Sequence, residues 1–458
     1  MKKKQKRKVE HLKKCLDENI ITTLLIDNRY SVDRLGSEMD NKYIEIGEWD
    51  FRDSNTKEFT HCFHIYPAVM IPQIARKLIH RYGNSGDLLF DPYCGTGTSL
   101  VEAKLIGMNA IGTDINPTAR MIALSKTTDY DIETLEEEIK SFLDGLEKKM
   151  EKVLDYSKFD EPNFVSWERL GDWFPKKTIS EISLALQKIE KIKDQNIQLF
   201  LKVALSECLR LVSYQRNGEF KLYRIPQDKR LDYYEPLFPK FESRIERNLI
   251  GYKQYKDAQN HDSLTEIYDF NTVNESGEDY FDSAVNLVVT SPPYGDSGTT
   301  VAYAQFSWLS NSWLGLDDKT PGALDRELMG GRKKEVVEFD FAPMDLAIRE
   351  ISSIDEKRAM EVMHFYHEYL LSMKNVSSRI TSGGHVCFVV GNRTVKGIQL
   401  PTDQFTAWAF QKEGFEYLET YVREIPNKRM PSRNSPSNIS GKTSSTMIHE
   451  FIVVCRKI

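Results

Sequence analysis

The 458-residue chain has room for two or three domains at about 150 residues each, and its 40% hydrophobic and 11% aromatic content is globular, which excludes a disordered or collagen-like polymer. With 62 Lys and Arg against 68 Asp and Glu, the net charge is −6, so a polyanionic partner has to be met by local basic patches. No apolar run approaches the roughly 18 residues of a membrane span, and the six cysteines (15, 62, 94, 208, 387 and 455) contain no CxxC pair, so neither a disulfide framework nor a metal site is expected and a reducing cytoplasm fits best.

In chain order, residues 1–58 form a basic N-terminal extension; positions 1–14 hold eight Lys or Arg against one Glu. Behind Pro67 and Pro72, the spacing of Ile71, Ile74, Ala75, Leu78 and Ile79 predicts an amphipathic helix. DLLFDP (87–92) reads as a buried strand, GTGTS as a turn, SLVEAKLIG as a helix stopped by Gly107, and NAIGTDINP as a second strand. Strand, helix, strand in about 30 residues is a βαβ unit, hence a parallel sheet. Residues 59–117 are therefore assigned to a first half of an α/β domain.

From 118 to 255 the pattern is mostly helical, with one stripe of Ile179, Ile182, Leu186 and Ile189 and another of Leu199, Val203, Leu211 and Val212. It reads as a helical insertion with its own core. Its start is acidic: residues 131–161 carry eleven acids against five Lys, and this face should point to water. Its end is basic and aromatic, since residues 210–256 hold eleven Lys or Arg, six acids and nine aromatics. Such segments neutralise phosphates and stack bases. The second half of the α/β domain, 256–458, resumes with strands at 284–290, 385–391, near 417–422 and at 451–455, interrupted by a polar, turn-rich loop over 431–446. The fold class is α/β, a twisted and mostly parallel sheet flanked by helices, with a large helical insertion.

Two motifs carry chemistry. In Asp91-Pro92-Tyr93-Cys94-Gly95-Thr96-Gly97-Thr98, glycines between a strand and a helix let the backbone turn tightly and a ligand approach the helix N-terminus. No Gly-Lys-Ser/Thr follows, so this is not a phosphate loop. Asp114 ends the next strand about 20 residues on, where a carboxylate accepts both hydroxyls of a ribose. The pairing suits a nucleoside cofactor without a pyrophosphate, such as S-adenosylmethionine. The second motif, Ser291-Pro292-Pro293-Tyr294, follows the apolar strand 284–290. Adjacent prolines remove two N–H donors and leave the carbonyls, so the loop is stiff and presents acceptors. An exocyclic nucleobase amine offers two N–H donors but has a delocalised lone pair. Ser291 Oγ and the Pro292 carbonyl are expected to bind those hydrogens, pull the nitrogen towards tetrahedral geometry and aim its lone pair at an electrophilic methyl. Tyr294 is expected to stack on a base drawn out of the duplex.

At these residues the sequence resembles the S-adenosylmethionine-dependent DNA amino-methyltransferases, and its SPPY loop is similar to that of the N4-cytosine type in bacterial restriction-modification systems. The resemblance implies cofactor contacts at Asp91, Pro92, Gly95, Thr96, Gly97 and Thr98, with Asp114 and Ile115 at the ribose. His64-Ile65-Tyr66-Pro67-Ala68 resembles the element preceding the turn, which adds Tyr66 and Pro67. Asp262-Ser263 resembles the acidic position facing the adenine ring, and Gly391-Asn392-Arg393 a late motif beside the target base. Double-stranded DNA is the implied substrate and a cognate restriction endonuclease the implied partner.

The order of motifs departs from many N4-cytosine enzymes, which carry the catalytic loop before the cofactor turn. That leaves the recognition region open between the 118–255 insertion, with Arg216, Lys221 and Arg224, and residues 298–380. Lys428, Arg429, Arg433 and Lys442 are candidate phosphate clamps. Adenine N6 methylation is the nearest rival activity, with Asp or Asn in place of Ser291. C5-cytosine methylation needs a Cys nucleophile that the loop lacks. An RNA guanine-N2 methyltransferase and a non-catalytic DNA-binding subunit complete the alternatives.

Overall fold

Runs such as VNLVVT are buried almost throughout, as a parallel strand between two helical layers must be. The computed structural model describes residues 43–45, 47–152, 170–216, 220–259, 262–282, 284–296, 300–317, 319–330, 338–425, 433–434, 444–445, 447 and 449–458. Its main sheet has eight strands: β1 (Tyr43–Glu45), β2 (Leu88–Asp91), β3 (Asn109–Thr113), β4 (Thr265–Tyr268), β5 (Val285–Thr290), β6 (Ile380–Val390), β7 (Phe415–Glu424) and β8 (His449–Lys457). They lie in the order β1-β7-β8-β6-β5-β2-β3-β4. All neighbours are parallel except β8, which runs antiparallel to both β6 and β7. From β2 the chain winds outward through β3 and β4, then returns to place β5 on the other side of β2, with Phe90 opposite Val288. Ligands of open α/β sheets bind at such a switch point, outside the carboxyl ends of the strands.

The helices in chain order are α1 (Pro72–Tyr82), α2 (Thr98–Leu105), α3 (Pro117–Thr127), α4 (Ile132–Lys152), α5 (Lys176–Ile189), α6 (Gln195–Leu211), α7 (Leu237–Ala258), α8 (Tyr303–Trp313), α9 (Pro321–Glu327), α10 (Ala342–Ile354), α11 (Glu356–Arg379) and α12 (Thr402–Lys412). On one sheet face Ile74, Leu78 and Leu100 from α1 and α2 bury Leu89, Leu287 and Val289. On the other, Phe365, Tyr369 and Phe405 from α11 and α12 share a core with Phe90, Val288 and Phe388. Among the described residues, no helix is long and apolar enough to cross a membrane.

Each strand read from an apolar run is present. The short strands β1 and β4 were not anticipated, because three or four residues with an only partly buried TEIY pattern announce no core. The helical insertion does not have a core of its own. Its buried residues, among them Ile182, Leu201 and Tyr252, are continuous with Phe63 and Val101 and with Leu309 and Trp313 of α8. Arg247 ties the two together by donating to the Phe63 carbonyl (2.9 Å) and pairing with Glu207 (2.8 Å).

Candidate active site

The turn after β2 needs its glycines. Gly95 (φ 49°) and Gly97 (φ 78°) are left-handed, and a Cβ at Gly97 would lie 2.9 Å from the Ala123 Cβ, so only glycine lets the turn rest on α3. Gly95 N–H donates to Asp114 Oδ2 (3.1 Å) and Asn116 N–H to Asp114 Oδ1 (2.8 Å). Each carboxylate oxygen keeps a further acceptor site for a ligand. Burial raises the Asp114 pKa against these hydrogen bonds. Asn116, the N-cap of α3, donates to the Tyr66 hydroxyl and to Ser307 Oγ, both at 2.8 Å, which sets Tyr66 on the cavity wall.

The cofactor turn and the proline loop meet directly. Thr290, the last residue of β5, donates to Asp91 Oδ1 at 2.5 Å, and a single cavity is lined by Tyr66, Pro67, Asp91, Pro92, Gly95, Thr96, Thr98, Asp114 and Ile115 on one side and by Ser291 and Pro293 on the other. Residues separated by about 200 positions thus share one pocket because β2 and β5 are adjacent. Pro292 is buried and does not line it; Gly97 supports the turn from behind.

A hydrogen-bond relay orients Ser291. Arg423 pairs with Glu450, and Glu450 accepts from the Tyr294 hydroxyl at 3.1 Å. Burial and the Glu450 carboxylate hold the Tyr294 phenol well above its ordinary pKa, so it stays a donor. With that proton committed, the 3.3 Å contact between Ser291 Oγ and the Tyr294 oxygen has Ser291 as donor. The lone pairs of Ser291 Oγ are then left to accept hydrogens from a ligand.

Asp91 is buried with neutral partners, Thr290 Oγ1 and the Tyr93 N–H (3.2 Å), and burial pushes it up to about 6. The folded protein therefore holds this proton more tightly than the unfolded chain, and the associated stability is lost as pH rises from about 4 to about 6. Asp91→Asn should remove that segment of the stability profile and stabilise the ligand-free protein at pH 7 by on the order of 2–3 kcal/mol at most, with a corresponding rise in melting temperature. Thermal unfolding across pH measures it; an unchanged profile would show that Asp91 is ionised at no cost.

Several expectations are corrected. Asp262 does not face the cavity: it is exposed and precedes β4, at the amino end of the sheet, where its neighbour Ser263 donates to the Lys104 carbonyl late in α2 (3.5 Å). The carboxyl end of β4 delivers Phe270, Asn271, Thr272 and Val273 instead; the position of Asp114 after β3 was the pattern that would have found them. Tyr294 does not line the cavity, and its hydroxyl serves the relay. In Gly391-Asn392-Arg393, Asn392 bonds Asp403 (2.8 Å) at the start of α12, and Arg393 joins Arg358 on Asp296 (both 3.3 Å), which fastens the chain beyond the prolines. Arg224 pairs with Asp172 (3.5 Å) and covers Trp173 (5.2 Å), a structural position. Arg216 is exposed and Lys221 half-buried beside it. Lys428, Arg429 and Lys442 lie outside the described residues, as does the side chain of Arg433. Tyr303, Leu328 and Met329 also line the cavity and carried no sequence signal. Among the described residues, no group of three or more His, Cys, Asp or Glu is placed to hold a metal ion.

Comparison with known proteins agrees with this architecture. The N6/N4 methyltransferase family model, described as DNA methylase, matches residues 1–125. Type II methyltransferase M.MvaI of Kocuria varians is 36% identical over 447 residues, covering 94% of this chain and 97% of that protein. Type II methyltransferase M.MjaII of Methanocaldococcus jannaschii is 39% identical over 109 residues, 23% of this chain and 20% of the relative. A tRNA (guanine(10)-N2)-dimethyltransferase of the same organism is 29% identical over 98 residues, 21% of this chain and 25% of the relative. Similarity to M.MvaI along nearly its whole length means that the chain belongs to the S-adenosylmethionine-dependent DNA methyltransferases of restriction-modification systems.

Proposed function

We propose that the chain transfers the methyl group of S-adenosylmethionine to the exocyclic N4 amine of a cytosine drawn out of double-stranded DNA, as the modification enzyme that protects DNA from a cognate endonuclease. The observation that carries this reading is the relay from Arg423 through Glu450 and Tyr294 to Ser291, which leaves an oriented neutral acceptor on the cavity wall across from the cofactor turn. Two amine hydrogens bound by neutral acceptors leave the nitrogen lone pair directed at the sulfonium methyl, and positioning supplies the rate. In this reading the cofactor lies along residues 91–98 with its ribose on Asp114 and its adenine near Phe270 and Asn271, and Ser291 is the acceptor that the loop turns to the amine. The neutral Ser291 favours cytosine over adenine N6. Digesting DNA from cells that express the protein into nucleosides should yield N4-methylcytosine. N6-methyladenine in its place would overturn the choice of base, methylguanosine in RNA would overturn the substrate, and no modified nucleoside would overturn catalysis.

The 118–255 region is the duplex-recognition element in this proposal. Phe220 and Tyr223 are about half exposed beside Arg216 and Lys221, and the Phe220 ring lies 6.1 Å from Phe306, itself 5.3 Å from the cavity-lining Tyr66. Phe220 is therefore one side chain removed from the cavity-lining Tyr66. Arg216→Ala with Lys221→Ala should weaken DNA binding about equally for all sequences and flatten its salt dependence by about one unit of slope per lost phosphate contact. An unaltered slope in a filter-binding titration would remove these residues from the interface.

A further inference from the structure

Between α6 and α7 the chain doubles back beside the first turn of α8. Its two arms pair antiparallel: Arg216 N–H donates to the Tyr223 carbonyl (2.8 Å) and Ile225 N–H to the Tyr214 carbonyl (2.7 Å), with Gln215 opposite Arg224. The buried Gln215 fixes the return arm by donating from Nε2 to the Lys221 carbonyl (2.6 Å). Leu222 N–H donates to Gln305 Oε1 (3.2 Å), in the same helical turn as the cavity-lining Tyr303. The segment is thus rooted on the helix whose first residue lines the cavity. It carries Phe220, 46% exposed and the only exposed phenylalanine among the described residues.

The backing of this ring is rigid. Phe220 meets Phe306 (centroids 6.1 Å, planes 61° apart), and Phe306 meets Tyr66 on the cavity wall (5.3 Å, 77°). Phe306 is itself buried; the Arg210 guanidinium stands over its ring (4.4 Å) and donates to its carbonyl (3.3 Å). Three rings therefore run in file from the cavity to the surface, with the outermost half in water. Drawing one base out of a duplex leaves a slot about 7 Å high, twice the rise of about 3.4 Å per step. One aromatic ring fills such a slot by stacking on the bases above and below. The slot asks for no hydrogen bond, which suits phenylalanine. In the chain the ring is flanked by the exposed Arg216 and the half-buried Lys221, cations of the kind that meet phosphates.

We propose that Phe220 enters the duplex at the position the target base leaves and holds the gap open while that base occupies the cavity. Phe220 is assigned this part rather than Tyr223, which is equally exposed, because its ring is the one in the file that leads to the cavity. The inference rests on the reading that the chain acts on a base taken out of double-stranded DNA, and it is independent of which base that is.

The test uses the full chain and a short duplex carrying the site that the parent protein methylates, mapped by modification-sensitive sequencing of DNA from expressing cells. The duplex is made in two forms, one fully paired and one with a mismatched base opposite the target, where opening is already cheap. Single-turnover methyl transfer by Phe220→Ala should be about 10–100-fold slower than by the parent on the paired form, and within about threefold of the parent on the mismatched form. Phe220→Trp restores a ring and should stay within about threefold of the parent on both. Equal losses on the two duplexes would mark a residue that merely touches DNA or supports its own loop and would overturn the proposal, as would an unchanged rate on the paired form. The underlying reading fails separately: if DNA from expressing cells carries no methylated site, the chain does not act on duplex DNA at all. If the site is there and Phe220→Ala methylates the paired form like the parent, only the wedge is removed.

Discussion

Replacing Ser291 with Ala should lower the turnover number for methyl transfer by about 10²–10³-fold, the loss typical when one preorganised hydrogen-bonding group is removed from a reacting centre. The amine of a nucleobase is a poor nucleophile until its hydrogens are held out of the ring plane, and Ser291 Oγ is the side-chain acceptor that the Tyr294 relay presents to the cavity. Alanine keeps the backbone of the proline-flanked loop and the Thr290 link to Asp91, so cofactor affinity and melting temperature should stay close to those of the parent. Single-turnover transfer of labelled methyl groups to unmodified DNA measures the effect. A rate within about threefold of the parent would remove Ser291 from the chemistry. Tyr294→Phe probes the same relay less severely: Ser291 loses the oxygen that receives its proton, its lone pairs are no longer oriented, and an intermediate loss is expected.

The second large effect is expected at Gly97. Valine there places a β-branched side chain at φ 78°, in a backbone region that costs an L-residue about 1–2 kcal/mol, and sets a Cβ 2.9 Å from the Ala123 Cβ and 3.1 Å from its Cα. The obstacle is partly backbone, so the turn itself must move. Displacing it breaks the Gly95 N–H bond to Asp114 and withdraws Thr96 and Thr98 from the cavity. Gly97→Val should reduce cofactor affinity by at least about 100-fold and lower stability by about 2–4 kcal/mol. Equilibrium dialysis of S-adenosylmethionine, alongside urea unfolding, distinguishes the two. Retained binding would show that the turn is not the cofactor's bed. Gly95 (φ 49°), with open space around its would-be Cβ, should tolerate alanine far better.

How much of this was readable beforehand depended on whether the information was local. The β2-turn-α2-β3 unit was legible because apolar runs and glycines dictate it within 30 residues, and Asp114 followed from its position at the end of the second strand. The Ser-Pro-Pro-Tyr loop was legible because proline chemistry is independent of context. Asp262 was misassigned because β4 is a short edge strand whose TEIY gives no apolar pattern; without that strand, the carboxyl end that carries Phe270 and Asn271 was invisible. The role of Tyr294 was missed for another reason: its partner Glu450 lies 156 residues away on β8, and no spacing rule joins them. Arg224 looked like a phosphate ligand from its basic, aromatic surroundings, yet Asp172 and Trp173, distant in sequence, claim it.

The placement of β8 bears on how the molecule can be made. This last strand is slotted between β6 and β7 and carries Glu450, so everything translated earlier is left with a gap in mid-sheet. A nascent or prematurely terminated chain would display two bare strand flanks open to pairing with a neighbouring polypeptide, and it would lack the carboxylate that aligns Ser291. Products truncated before β8 should therefore aggregate rather than act at reduced speed.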